Sequence, residues 1–591
     1  MTMSSTPSPP FKAASRFGAC LVGMALSAMM AGCATTPRVQ ASQVGLRPAV
    51  QSAQDGSSPY GLFLAGSAAL QNGEAETATQ LLKSAQASLA DDDAQELVRD
   101  RAFLAALYGG DVATAATLAP MNEEASPVLW RIGQMAQAVD FLARGKGGKA
   151  LAILQPSIGA PHRSTIALLV PWANASAGQR DASLVLPSVK GDRVVEYFGQ
   201  FGQALLFERA GKFDKAEDVY RFLASRSGVN GAFVLDNGAF LERRGRFVEA
   251  VTLYTAALAD DPTDLPLSQA LARAKSKGKP PALPQINQGA ARMILATAAV
   301  LTSDQQTETA FAYVRFALHL DPTNADGWIM LGDLLRDDEK NDQALAAYDR
   351  VAVSSPQYLS ALGRKAWVLQ SQDQSTQAIS LARQAVAQFP DNQEALVTLA
   401  DLLRANDQFA ESARLLSQVI KAQGDASDWR LLFMRGMASE QSGDWPSAEA
   451  DLKAALIKAP DEPQLLNYLG YSWIDRGERL DEGLAMVKKA VASNPRSGAM
   501  IDSLGWAYFR MGDLKQAVDL LEKAVELMPG DPEINNHLGD AYWRAGRLIE
   551  ARFQWQRVLT LDPSEAVRKA SEDKLKSGLL PVALPARVAG R

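Results

Sequence analysis

Histidine, cysteine and lysine are the side chains here whose chemistry would show first, and their spacing supports none. His162, His319 and His537 lie in different units with no acidic or metal-ligand spacing between them, so each reads as a satisfied or surface histidine. Neither HExxH nor GxSxG occurs. Gly145-Lys146-Gly147-Gly148-Lys149 has the composition of a phosphate loop but lacks the Walker spacing and the Ser or Thr that would hold magnesium. The 66 acidic residues supply many carboxylate pairs, and nothing singles one out. The reading is a chain with no catalytic residue, no metal and no cofactor.

The two cysteines, Cys20 and Cys33, point elsewhere. Lys12 and Arg16 precede an apolar stretch from Phe17 to Met30 that stops at Ala31-Gly32-Cys33, the layout of a secretory leader. The stretch is too short to argue for a permanent membrane span, which takes about 20 apolar residues. Met30-Ala31-Gly32-Cys33 resembles a bacterial lipobox, in which small residues suit the peptidase and the cysteine sulfur takes a diacylglyceryl group. On this reading residues 1–32 leave as a signal peptide, Cys33 is the lipid attachment site, and residues 33–58 form a flexible tether. One acyl chain anchors only marginally, so the multiple acylation typical of lipoproteins, palmitate included, would fix the protein to the bilayer. Ala34 stands after the cysteine in place of Asp, which resembles an outer-membrane sorting signal. Loss of Cys20 leaves no thiol for disulfides, so packing alone must supply stability. A formal net charge of -6 argues against a nucleic-acid partner, which needs a concentrated basic field.

What would position any binding residue is an internal repeat. The stretch Ile501 to Pro532 places a small residue on one helix at Gly505, an Ala opening the next at Ala517, a later Ala524 and a closing Pro529. The following unit repeats these as Gly539, Ala551, Val558 and Pro563. Backward from Ala517 the frame continues through Gly483, Ala448, Ser412, Ala378, Ala344 and Ala310, then Ala250 and Ala216, and less regularly Ala150, Ala115 and Ala78. This pattern resembles the tetratricopeptide repeat, which implies an all-α solenoid, a right-handed superhelix of antiparallel helix pairs. The expected domains are an amino-terminal irregular array at 59–274, a loop or linker at 275–290, a regular array at 291–563, and a capping helix and tail at 564–591. A second break, near residues 178–192, holds Leu184-Val185-Leu186 as a candidate extended piece.

In a solenoid of this kind the first helices line a concave groove. Counted from the small residue of each unit, the inward positions are Asn467, Tyr471, Ile474 and Asp475, then Asp502, Trp506, Phe509 and Arg510, then Asn536, Asp540, Trp543 and Arg544. Aromatics beside Arg and Asn are anchors of protein interfaces, and Arg510 with Arg544 would receive a carboxylate.

Residues Leu466 to Arg552 are especially similar to the carboxy-terminal part of an outer-membrane lipoprotein family that partners a periplasmic carboxyl-terminal processing protease. The resemblance implies a non-catalytic periplasmic adaptor, facing the periplasm from the outer membrane, that brings the protease together with substrates such as cell-wall hydrolases. An assembly scaffold for an envelope polysaccharide or outer-membrane-protein export machine, and a purely structural envelope protein, stand as the alternatives. If Cys33 is the anchor, Cys33→Ser abolishes partitioning into the detergent phase; retention of the variant on membranes at high salt would refute the assignment.

Overall fold

The computed structural model describes residues 58–579 apart from 91, 122, 125, 155–158, 160–161, 226–232 and 261–263. The expected leader, Cys33, the tether to residue 57 and the tail from residue 580 lie outside the described residues. Among the described residues all regular structure is helical, and most helices come as consecutive packed pairs. None of these helices is long and apolar enough to cross a membrane.

The pair Gly498–Arg510 and Leu514–Leu527 shows why such residues fold this way. Ser497 accepts from the Met500 amide and Asp513 from the Gln516 amide, satisfying N–H groups that no helical carbonyl reaches. Between the helices Gly512 takes φ 81°, the left-handed conformation that reverses the chain. Four other units make this turn with Gln305, Glu339, Asp373 and Asp407 at φ 59, 58, 60 and 59°. An L side chain there costs roughly 1 kcal/mol.

The repeat frame marks where helices cross. Ala216, Ala250, Ala310, Ala344, Ala378, Ser412, Ala448, Ala517 and Ala551 all have 0 % exposure, as do the less regular Ala78, Ala115 and Ala150. On the opposing helix a glycine accepts a large side chain at one constant interval: Gly66 meets Leu82, Gly238 meets Tyr254, Gly332 meets Tyr348, Gly436 meets Leu452, Gly505 meets Leu521 and Gly539 meets Trp555. A Cβ on Gly505 would stand 2.7 Å from Leu521 Cγ, and one on Gly539 2.5 Å from Trp555 Nε1.

Two compact units divide at Ala395 and Leu396. Inside the first, helix Leu265–Lys275 occupies the insertion after Ala250, with Arg273 donating to Glu242 at 2.8 and 2.9 Å. Residues 276–285, part of the expected linker, form a loop tied down by Arg209 to the Pro284 carbonyl and by Arg243 to that of Pro281. The loop leads into helices Ile286–Ser303 and Thr307–Leu320, which lie against the first helices of the amino-terminal pairs. The Trp172 ring rests on Gly289, where a Cβ would stand 2.0 Å from it. Thr165 bonds Thr297 at 3.1 Å, Asn287 donates to the Ala143 carbonyl at 3.1 Å, and Arg315 donates to that of Tyr108 at 2.5 Å. The expected extended piece at Leu184-Val185-Leu186 is turn and loop, because Gln203 takes the carbonyls of Ser183 and Val185 that a strand would need.

The second unit carries the pairs on to Val558 and, among the described residues, closes with helix Glu565–Ser577. Ser564 caps it by accepting from the Val567 amide, and Arg552 donates to the Leu575 carbonyl at 2.7 Å. Gly505→Leu should lower the urea stability of the second unit by about 3 kcal/mol, because Leu521 has nowhere to move. Glu339→Gly should raise that of the first by about 1 kcal/mol through relief of the left-handed turn. Unchanged midpoints would show that neither contact is felt.

Candidate functional site

The candidate residues sit on three successive first helices of the second unit, Pro463–Arg476, Gly498–Arg510 and Pro532–Arg544. They do share one row, but most of that row is closed by contacts between units. The Trp506 indole is buried: its Nε1–H donates to Asp475 Oδ1 at 3.1 Å, and its ring stacks on Phe509 at 4.7 Å and on His537 at 4.1 Å. Arg510 donates to the Asp475 carbonyl at 2.6 Å and approaches its carboxylate at 3.5 Å. Phe509, Asp502 and Asp540, expected to line an open groove, are buried as well, and Ile474 is a core residue against Gly483. The reason is the neighbouring unit: a position that faces inward on one helix is covered when the next helix presents a side chain one repeat further on.

Asp502 illustrates it. Both of its carboxylate oxygens lie 3.0 Å from His537 Nδ1. Burial opposes charge on that imidazole, but Asp502 in contact, with Asp540 and Glu533 beyond it, holds its pKa above the ordinary histidine value. Tyr471, half-buried with its ring 6.5 Å from that of His537, has its phenol pushed well up by burial and by Asp475 and Asp502. In the last unit Asp540 accepts from Trp555 Nε1 at 3.0 Å and from Lys574 of the cap at 2.8 Å, and Lys574 also donates to Asn536 at 2.9 Å. Trp543 lies 5.3 Å from the Trp555 ring and under Gly578, whose added Cβ would stand 2.2 Å from it. Asp475 is exposed, and Asn467 and Arg544 are half-buried; Asn467 Oδ1 has no donor among the described residues.

His537 and Lys574 were not among the residues singled out by the repeat. Their signal was present: His537 follows Asp502 by 35 residues and Lys574 follows Asp540 by 34, one repeat each. The other histidines stand apart from this row. His162 meets the Tyr313 hydroxyl at 2.5 Å and is pushed down to about 4 by burial and then by Arg131. His319 Nε2 lies 3.3 Å from Asp140. Within the phosphate-loop-like run Gly145 makes a left-handed turn at φ 68°, and Gly147 lies so close to the helix Arg163–Ser176 that a Cβ would stand 2.3 Å from the Ala173 carbonyl oxygen. Among the described residues no three His, Cys, Asp or Glu side chains gather where a metal ion would sit.

The sign of the His537 shift sets a pH dependence. A folded pKa above the unfolded value near 6.5 means its stabilisation is fully present below that pH and is lost as pH rises through the folded value. The urea midpoint of the second unit should therefore fall as pH rises above about 6.5, and fall less in Asp502→Asn, which no longer holds the proton. Equal slopes for the two proteins would contradict the assignment.

Comparison with known proteins places the repeat. Residues 282–562 and 201–264 match sequence models of the tetratricopeptide repeat. Over 188 residues the chain is 30% identical to a tetratricopeptide-repeat-containing protein of Pseudomonas aeruginosa, covering 32% of this chain and 31% of that protein. Over 139 residues it is 27% identical to the bifunctional subunit NrfFG of the formate-dependent nitrite reductase complex of Haemophilus influenzae, covering 23% and 36%. The chain thus spans about a third of the length of these curated relatives. A crystal structure of a thermophilic tetratricopeptide-repeat protein of Thermus thermophilus aligns with 31% of this chain and 99% of its own at 22% identity, with a TM-score of 0.28. With the frame alanines buried at the helix crossings and both matches describing the same repeat, the chain is a tetratricopeptide-repeat protein, all-α and built of paired antiparallel helices.

Proposed function

We propose that this protein is a non-catalytic adaptor, held by lipid on Cys33 at the periplasmic face of the outer membrane, that captures partner proteins and delivers substrates to a periplasmic carboxyl-terminal processing protease. The observation that carries the reading is the tetratricopeptide array itself, a scaffold whose first-helix row leaves Asn467, Asp475 and Arg544 reachable between buried aromatics. The lipobox at Cys33 and the likeness of Leu466 to Arg552 to the protease-partner lipoproteins support the location and the partner. Holding protease and substrate on one chain raises their effective concentration with no chemistry from the scaffold. Cell-wall hydrolases fit as the substrates.

The test is photo-crosslinking from Asp475 in native membranes, followed by mass spectrometry and titration calorimetry with the recovered partner. Arg510→Ala with Arg544→Ala should weaken that complex about tenfold, as should added salt, while the melting temperature changes little. Unchanged affinity for every recovered partner would overturn the second-unit row as the docking site, and the absence of any crosslinked protein would overturn the adaptor.

A further inference from the structure

The first unit cannot offer its row of first helices to a partner in the same way. Helices Ile286–Ser303 and Thr307–Leu320 already lie against it, with Trp172, Thr165 and Tyr108 engaged. What the unit presents instead is the insertion at residues 184–192. The insertion is a fixed surface: Gln203 donates to the carbonyls of Ser183 and Val185 at 3.1 and 3.0 Å, and Pro187 packs where Gly199 leaves room.

At its carboxy-terminal end lies a depression of about 540 Å³ bordered by Arg163, Lys190 and Arg193. All three are exposed, and none makes an ion pair with a described residue. Four other arginines of the same unit are committed to carboxylates: Arg243 to Glu208, Arg246 to Glu217, Arg273 to Glu242 and Arg292 to Asp236. The one carboxylate bordering the depression, Asp192, is used within the fold, accepting from the Val195 amide at 3.0 Å and from the Ser164 hydroxyl. Arg163 and Arg193 are each the first residue of a helix, where a cation is disfavoured by the peptide dipoles, so these charges are kept at a cost to stability. On the same loop Val185 and Leu186 stand 64 and 45 % exposed.

We propose that this surface binds an acidic polypeptide segment, its Asp or Glu carboxylates received by Arg163, Lys190 and Arg193 and its apolar side chains by Val185 and Leu186. The proposal rests on the adaptor reading and adds a second docking point in the first unit. Three unpaired cations complement a run of carboxylates, and guanidinium groups take them in two-pronged contacts. The exposed apolar pair on the same loop favours a polypeptide, long enough to reach both, over a phosphate-bearing ligand, which would use only the charges.

The test is fluorescence anisotropy on the full chain in zwitterionic micelles, with a labelled peptide alternating Glu and Leu and its Gln and Leu counterpart. The acidic peptide should bind at least about tenfold more tightly than the neutral one and weaken as salt rises from about 50 to about 300 mM. R163Q/K190Q/R193Q should lose that preference with an unchanged melting curve, R163K/K190R/R193K should keep it, and V185S/L186S should weaken both peptides. If the triple variant does not fold, Lys190→Gln in the loop carries the test alone, with a smaller loss in the same direction. Equal binding by parent and neutralised chains overturns the proposal. So does binding of phosphatidylglycerol-doped micelles through these three residues without binding of the peptide, which would make the surface a lipid contact. A null result here beside intact crosslinks through Asp475 removes only this surface, whereas loss of those crosslinks removes the adaptor reading and leaves the peptide titration to stand or fall separately.

Discussion

Two helices cross at close range only where the crossing positions carry no bulk, and the fold depends on that. Gly505 and Gly539 leave room for Leu521 and Trp555, and Ala517 and Ala551 are fully buried beside them. Glycine weakens an isolated helix by up to about 1 kcal/mol relative to alanine, so the contact must return more than that through close packing. Because the large residue lies at one constant interval after the glycine, each unit makes its own crossing from local sequence. Stacking then needs only that neighbouring units offer matching faces.

The same contact also acts far from its origin. Trp172 fills the space above Gly289 much as Trp555 fills that above Gly539, yet the first pair joins segments separated by a whole series of repeats. Once the loop at 276–285 has turned the chain, helices Ile286–Ser303 and Thr307–Leu320 use the row of amino-terminal first helices as their packing partner. That row of first helices thereby becomes an internal surface. Its polar members follow: His162, buried against Tyr313, loses the tendency to charge, as expected of an imidazole withdrawn from water without a carboxylate beside it.

This explains what was legible in the sequence and what was not. The frame alanines, the turns at Gly512 and Gly546 and the cap from Glu565 to Ser577 are local, and residue type with spacing is enough to read them. The packing of Tyr313 and Trp172 across the first unit is not local, and a 34-residue frame carries no mark of it. The candidate row falls between these cases. Counting from Gly505 puts Asp502, Trp506, Phe509 and Arg510 on one side of their helix. It leaves open whether that side is covered, which depends on Asp475 one unit earlier and His537 one unit later. A repeat register predicts facing; exposure needs the neighbour.

The distinction decides which part of the row a partner can use. Displacing Asp502 from His537 would leave a charge buried without its counterion, a change that costs several kcal/mol, so that pair belongs to the framework. Arg510 and Asp475 differ, because Asp475 is exposed and Arg510 half-buried, and their side-chain contact is worth at most about 1 kcal/mol. An incoming carboxylate can share the Arg510 guanidinium while Asp475 keeps the Trp506 indole N–H, at little loss to the fold. Trp506 remains held meanwhile by its stacks on Phe509 and His537. The buried aromatic and the buried ion pair thus fix the position of a more exposed pair whose internal contacts are the weakest in the row.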